Sequence, residues 1–176
     1  MNLPSRSMYV LPILTAGILL SACAPATAPT SNAGTDPLNA TYTLDGQSVT
    51  LQNGKSTQTI PGSSAQIVTQ NFAAPTYGEL NGDSQKDASF ILTQTNGGSG
   101  QFFYMVASLK TAAGFVGTNG VLMGDRIAPQ GPLTITNGII EVNYADRAAG
   151  EPMTAQPSVM KTLRLKVVGN TLQATN

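Results

Sequence analysis

The sequence predicts an all-β fold, built predominantly of antiparallel hairpins arranged as a sandwich or an open barrel. Turn dipeptides recur at short intervals, and apolar residues alternate with polar ones on both sides of them. Two longer stretches are apolar on both faces, which is typical of central strands covered on both sides. Charged residues make up only 10% of the chain, against a usual value of about 25%. Such a neutral composition suits strands better than helices that carry ion pairs.

The folded part begins with a hairpin. Asp45-Gly46 is a strong two-residue turn signal, and apolar side chains alternate before and after it. These side chains are Tyr42, Leu44, Val49 and Leu51. A second turn follows at Asn53-Gly54. Residues 63–72 fit either one short helix capped by Ser63 or a further strand, and we expect a strand.

Two central strands follow, at residues 88–93 (ASFILT) and 101–109 (QFFYMVASL), because both runs are apolar on both faces. The glycine-rich residues 96–100 join them as a hairpin connection. A phosphate-binding loop does not fit there, since no Gly-Lys-Ser/Thr follows and no helical pattern begins.

The last strands have one solvated face. Asn137-Gly138 and Gly169-Asn170 mark turns beside alternating runs. We expect a core that draws on the central strands and on the last alternating run. Its expected members are Phe90, Leu92, Phe103, Met105, Leu163, Leu165 and Val167.

The first 22 residues have the pattern of a signal peptide. Arg6 supplies a positive charge, residues 8–20 form an apolar run, and small residues follow at Ser21 and Ala22. The run is too short for a helix that spans a bilayer core, which needs about 20 residues. We therefore expect residues 1–22 to be removed.

The segment ends in Leu20-Ser21-Ala22-Cys23, which resembles the lipobox of bacterial lipoproteins. The resemblance implies cleavage before Cys23, a lipid on its thiol and acylation of the new amino terminus. Cys23 is also the only cysteine in the chain. The alternative is an ordinary secretory signal cleaved near Ala22 or Ala24. In lipoproteins of this kind an Asp at position 24 tends to signal inner-membrane retention, so Ala24 favours the outer membrane.

Residues 24–38 are rich in Pro, Ala, Thr, Ser and Asn, and they carry too little apolar surface to form a core. We expect a flexible tether there, after the lipidated Cys23. The remaining residues, 39–176, are enough for one globular domain.

Composition excludes several kinds of chemistry. The chain contains no histidine, which excludes Ser-His-Asp and Cys-His nucleophile systems and His-ligated zinc. A lone cysteine leaves neither disulfides nor thiolate metal sites. Basic and acidic residues are equal in number, nine of each. Nucleic acid is not an expected partner, because phosphate binding needs a basic stripe.

The loop that leads into the first central strand has the most specific pattern. Glu79, Asn81, Asp83 and Asp87 occupy positions 1, 3, 5 and 9. Calcium takes six to eight oxygen ligands, and alternating acidic and amide side chains line one side of a tight loop. The pattern resembles the D-x-[DN]-x-D-G-x-x-D loops of FG-GAP-type β repeats. It also resembles the G-D-L-N-G-D-G segment of a group of largely uncharacterised bacterial lipoproteins.

Likeness to that lipoprotein group extends through residues 102–109, 124–126 and 144–153, and it implies fold and location only. The loop departs from the pattern at Glu79, where Asp is usual, and at Ser84, where glycine permits the sharp turn. Position 12 is Phe90, which excludes an EF-hand. Two interpretations stay open: a weak Ca²⁺ site, and a polar turn descended from such a loop.

Two Asp-Arg doublets, Asp125-Arg126 and Asp146-Arg147, lie at the ends of expected strands. They would either bind an anionic or amide-bearing ligand or form cross-strand ion pairs, Asp125 with Arg147 and Arg126 with Asp146.

Residues 158–161 match the Ser-x-x-Lys of penicillin-binding proteins. That motif needs a helix, whereas the alternation here indicates a strand.

These observations favour a lipid-anchored protein of the bacterial envelope that acts as a non-catalytic binding or structural module. Its partners would be the membrane and an envelope protein or glycan. The alternative is a small envelope hydrolase that uses carboxylates near Asp125 and Asp146. A carboxylate buried beside another polar group in a cleft would favour the hydrolase.

Overall fold

A computed structural model describes residues 33–175 of the chain. Within this range the fold is all-β, as predicted, with thirteen strands and one 3₁₀ helix, Pro37–Asn39. The predicted signal peptide, residues 1–22, and the expected lipidation site, Cys23, lie outside the described residues.

The strands form a ribbon and two sheets, all with antiparallel pairing. The ribbon consists of β1 (Thr41–Leu44) and β2 (Gln47–Thr50). The seven-stranded sheet consists of β3 (Lys55–Thr59), β4 (Gln66–Asn71), β5 (Thr76–Gly78), β6 (Asp87–Thr95), β7 (Phe102–Thr111), β8 (Gly114–Gly117) and β9 (Val121–Asp125). The four-stranded sheet consists of β10 (Ala128–Thr136), β11 (Ile139–Asp146), β12 (Val159–Val168) and β13 (Thr171–Ala174).

Strand order explains the composition of β6 and β7. The seven-stranded sheet has the order β3-β4-β6-β7-β8, with β5 added beside β6 and β9 beside β7. The two doubly apolar runs are therefore its central strands, as the sequence predicts, and residues 96–100 connect them. The segment 63–72 contains β4, so the expected strand is confirmed, and Ser63 Oγ accepts the Ala65 N–H in the preceding turn.

Each face of the seven-stranded sheet buries its own apolar cluster. On one face Phe90 and Leu92 pack with Tyr42 of the ribbon. On the other face Met105 packs with Ile140 of the four-stranded sheet. The result is three layers, and side chains alternate between the two clusters along β6 and β7 because successive residues of a strand point to opposite faces.

The expected core residues lie in these clusters. Phe90, Leu92, Phe103, Met105 and Leu165 are between 0% and 4% exposed. Leu163 and Val167 are partly buried and pack against the cluster shared with the four-stranded sheet.

Contacts with the rest of the domain are present before residue 39. Gly34 pairs with Phe115 of β8 through two backbone hydrogen bonds of 2.9 and 2.8 Å. Pro37 is buried, and Leu38 packs against the cluster under the ribbon. Residues 34–38, which by composition belong to the expected tether, are thus attached to the domain.

The last strand of the four-stranded sheet is covered by a side chain. Asn119 Nδ2 donates to the carbonyl oxygen of Leu172 at 3.1 Å, and Asn119 Oδ1 accepts the Leu172 N–H at 2.7 Å. This amide bonds to β13 as a neighbouring strand would, and it joins the two sheets where they meet.

Candidate functional site

Three of the residues in the calcium-like loop bind the loop's own backbone. Glu79 Oε1 accepts the N–H groups of Asn81 and Gly82 at 2.9 and 2.7 Å. Asn81 Oδ1 accepts the Asp83 N–H at 3.1 Å, and Asp83 Oδ1 accepts the Gln85 N–H at 2.8 Å. The backbone bond from Gln85 holds the pKa of Asp83 below its usual value. These oxygens already stabilise the turn.

Ser84 adopts the conformation that the loop pattern reserves for glycine. Its φ angle is 65°, in the left-handed region where a side chain costs about 1–2 kcal/mol. The expected strain at position 6 is therefore present, and serine tolerates it because the loop on both sides is bound to its own side chains.

Asp87, the fourth residue of the pattern, is fully buried. Its Oδ2 accepts the Leu80 N–H at 2.9 Å, and its Oδ1 accepts the Lys110 N–H at 2.8 Å. Burial raises the pKa of this carboxyl group, and the two backbone bonds oppose that rise. Asp87 thus ties the loop to the end of β7.

The structure brings the four residues into one loop but engages most of their oxygens. Within residues 33–175, no group of three His, Cys, Asp or Glu side chains is arranged to hold a metal ion. One atom is left over: Glu79 Oε2 is buried and accepts no hydrogen bond from the described residues. A cation would satisfy that oxygen, so the weak Ca²⁺ site stays a prediction beside the polar turn.

The Asp-Arg doublets do meet, but the predicted ion pairs between them are wrong. Asp125 pairs with its neighbour Arg126 at 3.3 Å and accepts the Gln101 N–H at 2.8 Å. Asp146 pairs with Lys161 at 2.7 Å. Asp146 is drawn to Lys161 because β11 and β12 are hydrogen-bonded neighbours that place Tyr144 opposite Lys161.

Arg147 links the two doublets through carbonyl groups. Its Nη1 donates to the carbonyl oxygens of Asp125 and Arg126 at 3.2 and 3.0 Å, and its Nε donates to that of Ala155 at 2.7 Å. The guanidinium therefore connects the ends of β9 and β11, which belong to different sheets. This is a structural use of the doublets.

The Ser-x-x-Lys match is also structural. Residues 159–161 lie in β12, and Lys161 is the partner of Asp146. The Lys161 ammonium lowers the pKa of Asp146, and the carboxylate raises the pKa of Lys161. A lysine whose charged form is favoured in this way is a poor general base at neutral pH.

All nine carboxylates of the chain accept at least one hydrogen bond from within the domain. They are Asp36, Asp45, Glu79, Asp83, Asp87, Asp125, Glu141, Asp146 and Glu151. The fully buried one, Asp87, is remote from the doublets. It binds Lys110 near the end of β7, whereas Asp125 pairs with Phe102 at the start of that strand.

One surface feature was not predicted from the sequence. Residues 72–75 (FAAP) connect β4 to β5. Phe72 in this connection and Tyr77 in β5 are 50% and 52% exposed. A cavity of about 220 Å³ lies beside Phe72, between this connection and residues 129–133 of β10. The signal in the sequence is a run of apolar residues without charge that follows an alternating strand.

The fold and these contacts define an all-β domain whose carboxylate side chains hold its turns and sheets. Comparisons with protein-family models, curated proteins and solved structures find no match for this chain. Among residues 33–175 there is no helix of the length and hydropathy needed to cross a membrane.

Proposed function

We propose that the protein is a lipid-anchored component of the bacterial envelope that acts as a non-catalytic binding or structural module. The observation that carries this proposal is the position of the only cysteine, Cys23, at the end of a lipobox-like run behind a charged and apolar segment. Three acyl chains on one cysteine give stable anchoring, since two already suffice at about 0.8 kcal/mol for each buried methylene.

The anchor keeps the domain near the membrane. Ten residues separate Cys23 from Gly34, where the chain pairs with β8. Fully extended, the eleven Cα–Cα steps from Cys23 to Gly34 span at most about 40 Å. Ala24 in place of Asp supports the outer membrane as the location, and an envelope protein or glycan is the partner within reach.

The use of the carboxylates supports a module over a hydrolase. General acid–base work needs a carboxyl group that is free to exchange a proton with a substrate. Asp146 is held ionised by Lys161, and Asp125 is bound by Arg126 and the Gln101 backbone. The chemistry proposed as the alternative would have to break these contacts.

The anchor is tested by Cys23→Ser in the full-length chain expressed in a bacterium that processes lipoproteins. The variant should leave the membrane fraction or accumulate as an uncleaved precursor. Ala24→Asp is the matched control, because it keeps the cysteine, and it should stay in membranes while moving from the outer to the inner membrane. A Cys23→Ser protein that fractionates and migrates as wild type does would refute the anchor.

Catalysis is tested with the purified chain on ester, peptide, phosphate and glycoside substrates. We expect no saturable turnover. Hydrolysis that is abolished by Asp125→Asn or Asp146→Asn, but kept in Glu141→Gln, would replace the module with the hydrolase. Glu141 is the control because it forms a comparable surface ion pair, with Arg164 at 2.7 Å.

A further inference from the structure

Asparagine is followed by glycine at five places in the chain, and asparagine in this pair is chemically labile. The backbone nitrogen of the next residue can attack the asparagine side chain and close a ring. Glycine leaves that nitrogen most accessible, because it has no Cβ atom. The five asparagines all lie within the described residues: Asn53, Asn81, Asn96, Asn119 and Asn137. The fold therefore decides which of them can react.

At three of the five sites the attacking nitrogen is already bound. The N–H groups that follow these asparagines donate at 2.7 or 2.8 Å, from Gly54 to Leu38 O, from Gly82 to Glu79 Oε1 and from Gly120 to Thr43 O. The side-chain amide of Asn81 is also bound to Asp83. The amide of Asn119 is bound to both backbone groups of Leu172. Reaction at these sites first requires a local opening that breaks the bonds.

The fourth site, Asn137-Gly138, is held in a tight hairpin. These two residues are the whole connection between β10 and β11, because Thr136 and Ile139 are directly paired. Both have positive φ angles, 50° and 75°, as a type I′ turn requires. In this left-handed conformation the nitrogen of Gly138 points away from the Asn137 side chain. Ring closure would require the turn to unwind, and the paired strands on both sides oppose that change.

The fifth site, Asn96-Gly97, lies in the connection between β6 and β7, and both residues are exposed. Asn96 does not have the positive φ angle of Asn137. Among the described residues, no hydrogen bond is made by the Asn96 amide or by the Gly97 N–H. Asn96 Oδ1 lies 3.4 Å from the position that a Cβ atom of Gly98 would occupy. The amide is thus directed along the backbone that follows it, where the attacking nitrogen lies.

The reaction at this site is an intramolecular substitution that needs only water and a base. The Gly97 nitrogen loses its proton to the base and forms a bond to Cγ of Asn96. The bond between Cγ and Nδ2 breaks, and the side-chain nitrogen takes up a proton and leaves as ammonia. Water then opens the cyclic imide at one of its two carbonyl carbons, which gives aspartate or isoaspartate. The net change consumes one water and releases one ammonia, without oxidation or reduction.

We propose that Asn96 is a site of spontaneous deamidation in the folded protein, and that it reacts before the other four Asn-Gly sites. This inference does not depend on the lipid anchor. Gln101 ends the same connection, where its N–H donates to Asp125 Oδ1 at 2.8 Å and its carbonyl oxygen accepts the Arg126 N–H at 2.7 Å. These bonds hold the start of β7, so the ring forms without separation of the two central strands. The product adds one negative charge to their connection.

The test compares the five sites within one molecule. The purified full chain is incubated at mildly alkaline pH, folded in buffer or unfolded in urea, and deamidation at each asparagine is followed by peptide mapping with mass spectrometry. In urea the sites share the same two residues and should react at similar rates. In the folded chain we expect Asn96 to react fastest. Asn81 and Asn119 should react at least about tenfold more slowly than Asn96, because several hydrogen bonds must break first.

Asn96→Gln is the matched variant, because glutamine keeps the amide but its extra methylene makes ring closure slower. It should remove the fast product from the folded chain and leave the rates at the other four sites unchanged. Equal rates at Asn96 and Asn81 in the folded chain, or a faster reaction at Asn137, would overturn the assignment. So would a reaction at Asn96 that is tenfold slower in the folded chain than in urea, since it would show that the fold holds this site as well.

Discussion

Asp87→Asn should destabilise the domain by about 2 kcal/mol. Asp87 is fully buried, and its two oxygens accept the N–H groups of Leu80 and Lys110 at 2.9 and 2.8 Å. Asparagine keeps one acceptor and turns an NH₂ group towards the other donor, which leaves a buried backbone N–H unpaired at a cost of about 1–3 kcal/mol. Removing a buried charge offsets part of that cost, so we expect a value inside this range.

The same substitution should change the pH dependence of stability. Burial raises the pKa of Asp87 in the folded state, so protonation of this group favours the folded protein. The wild type therefore gains stability relative to Asp87→Asn as pH falls through the raised folded pKa. The gap between the two free energies of unfolding should widen in acid and stay constant above that pKa.

Urea unfolding followed by circular dichroism, at several pH values and without calcium, measures both effects. Asp83→Asn is the matched control, because Asp83 lies in the same loop but is exposed and bonds only to Asn81 and Gln85. Its loss of stability should be clearly smaller. If Asp87→Asn is as stable as wild type without calcium, and differs only when calcium is added, then Asp87 is an ion ligand and its structural role in this loop is refuted.

Four further perturbations test other parts of the structure. Ser84→Gly should stabilise the domain by up to about 1 kcal/mol, because glycine relieves the left-handed strain at a smaller entropic cost. Millimolar calcium, at ten times a dissociation constant near 10⁻⁴ M, should stabilise the wild type by only about 1.4 kcal/mol. A much larger calcium-dependent rise in melting temperature would contradict a weak site. Asp146→Asn should lower stability by less than about 1 kcal/mol at neutral pH. Since Lys161 lowers the folded pKa of Asp146, the difference in stability from wild type should vanish as pH falls through that pKa. A difference that persists in acid would contradict a lowered pKa. Asn119→Ala should lower the free energy of unfolding, measured with urea, by about 1–3 kcal/mol, since it leaves the buried Leu172 backbone without its partner. An unchanged urea midpoint would show that this contact does not join the sheets.

The strands and the central pair were predictable because each depends on local sequence. Asp45-Gly46 and Asn137-Gly138 supply positive φ angles at their turns, and the structure has 47° and 50° at Asp45 and Asn137. The double apolarity of β6 and β7 predicted cover on both faces. The sequence did not indicate which elements pack on each face of β6 and β7, because the ribbon and the four-stranded sheet come from distant parts of the chain.

Side-chain partners were harder to predict than strands. Alternation placed the Asp-Arg doublets at strand ends, but not the register that sets Lys161 beside Asp146 or the carbonyl groups that surround Arg147. In the calcium-like loop the spacing of oxygens was visible, whereas the burial of Asp87 depends on its bond to Lys110 of β7, a strand later in the chain. A pattern of ligand types therefore identified the loop but not the use of its oxygens.

The most direct test of the lipid anchor is mass spectrometry of the amino terminus of the protein purified from membranes. We predict a chain that begins at Cys23 and carries a diacylglyceryl group on the thiol and a third acyl chain on the amino group. A mature chain that begins elsewhere, or one in which Cys23 is a free thiol, would contradict the lipid anchor.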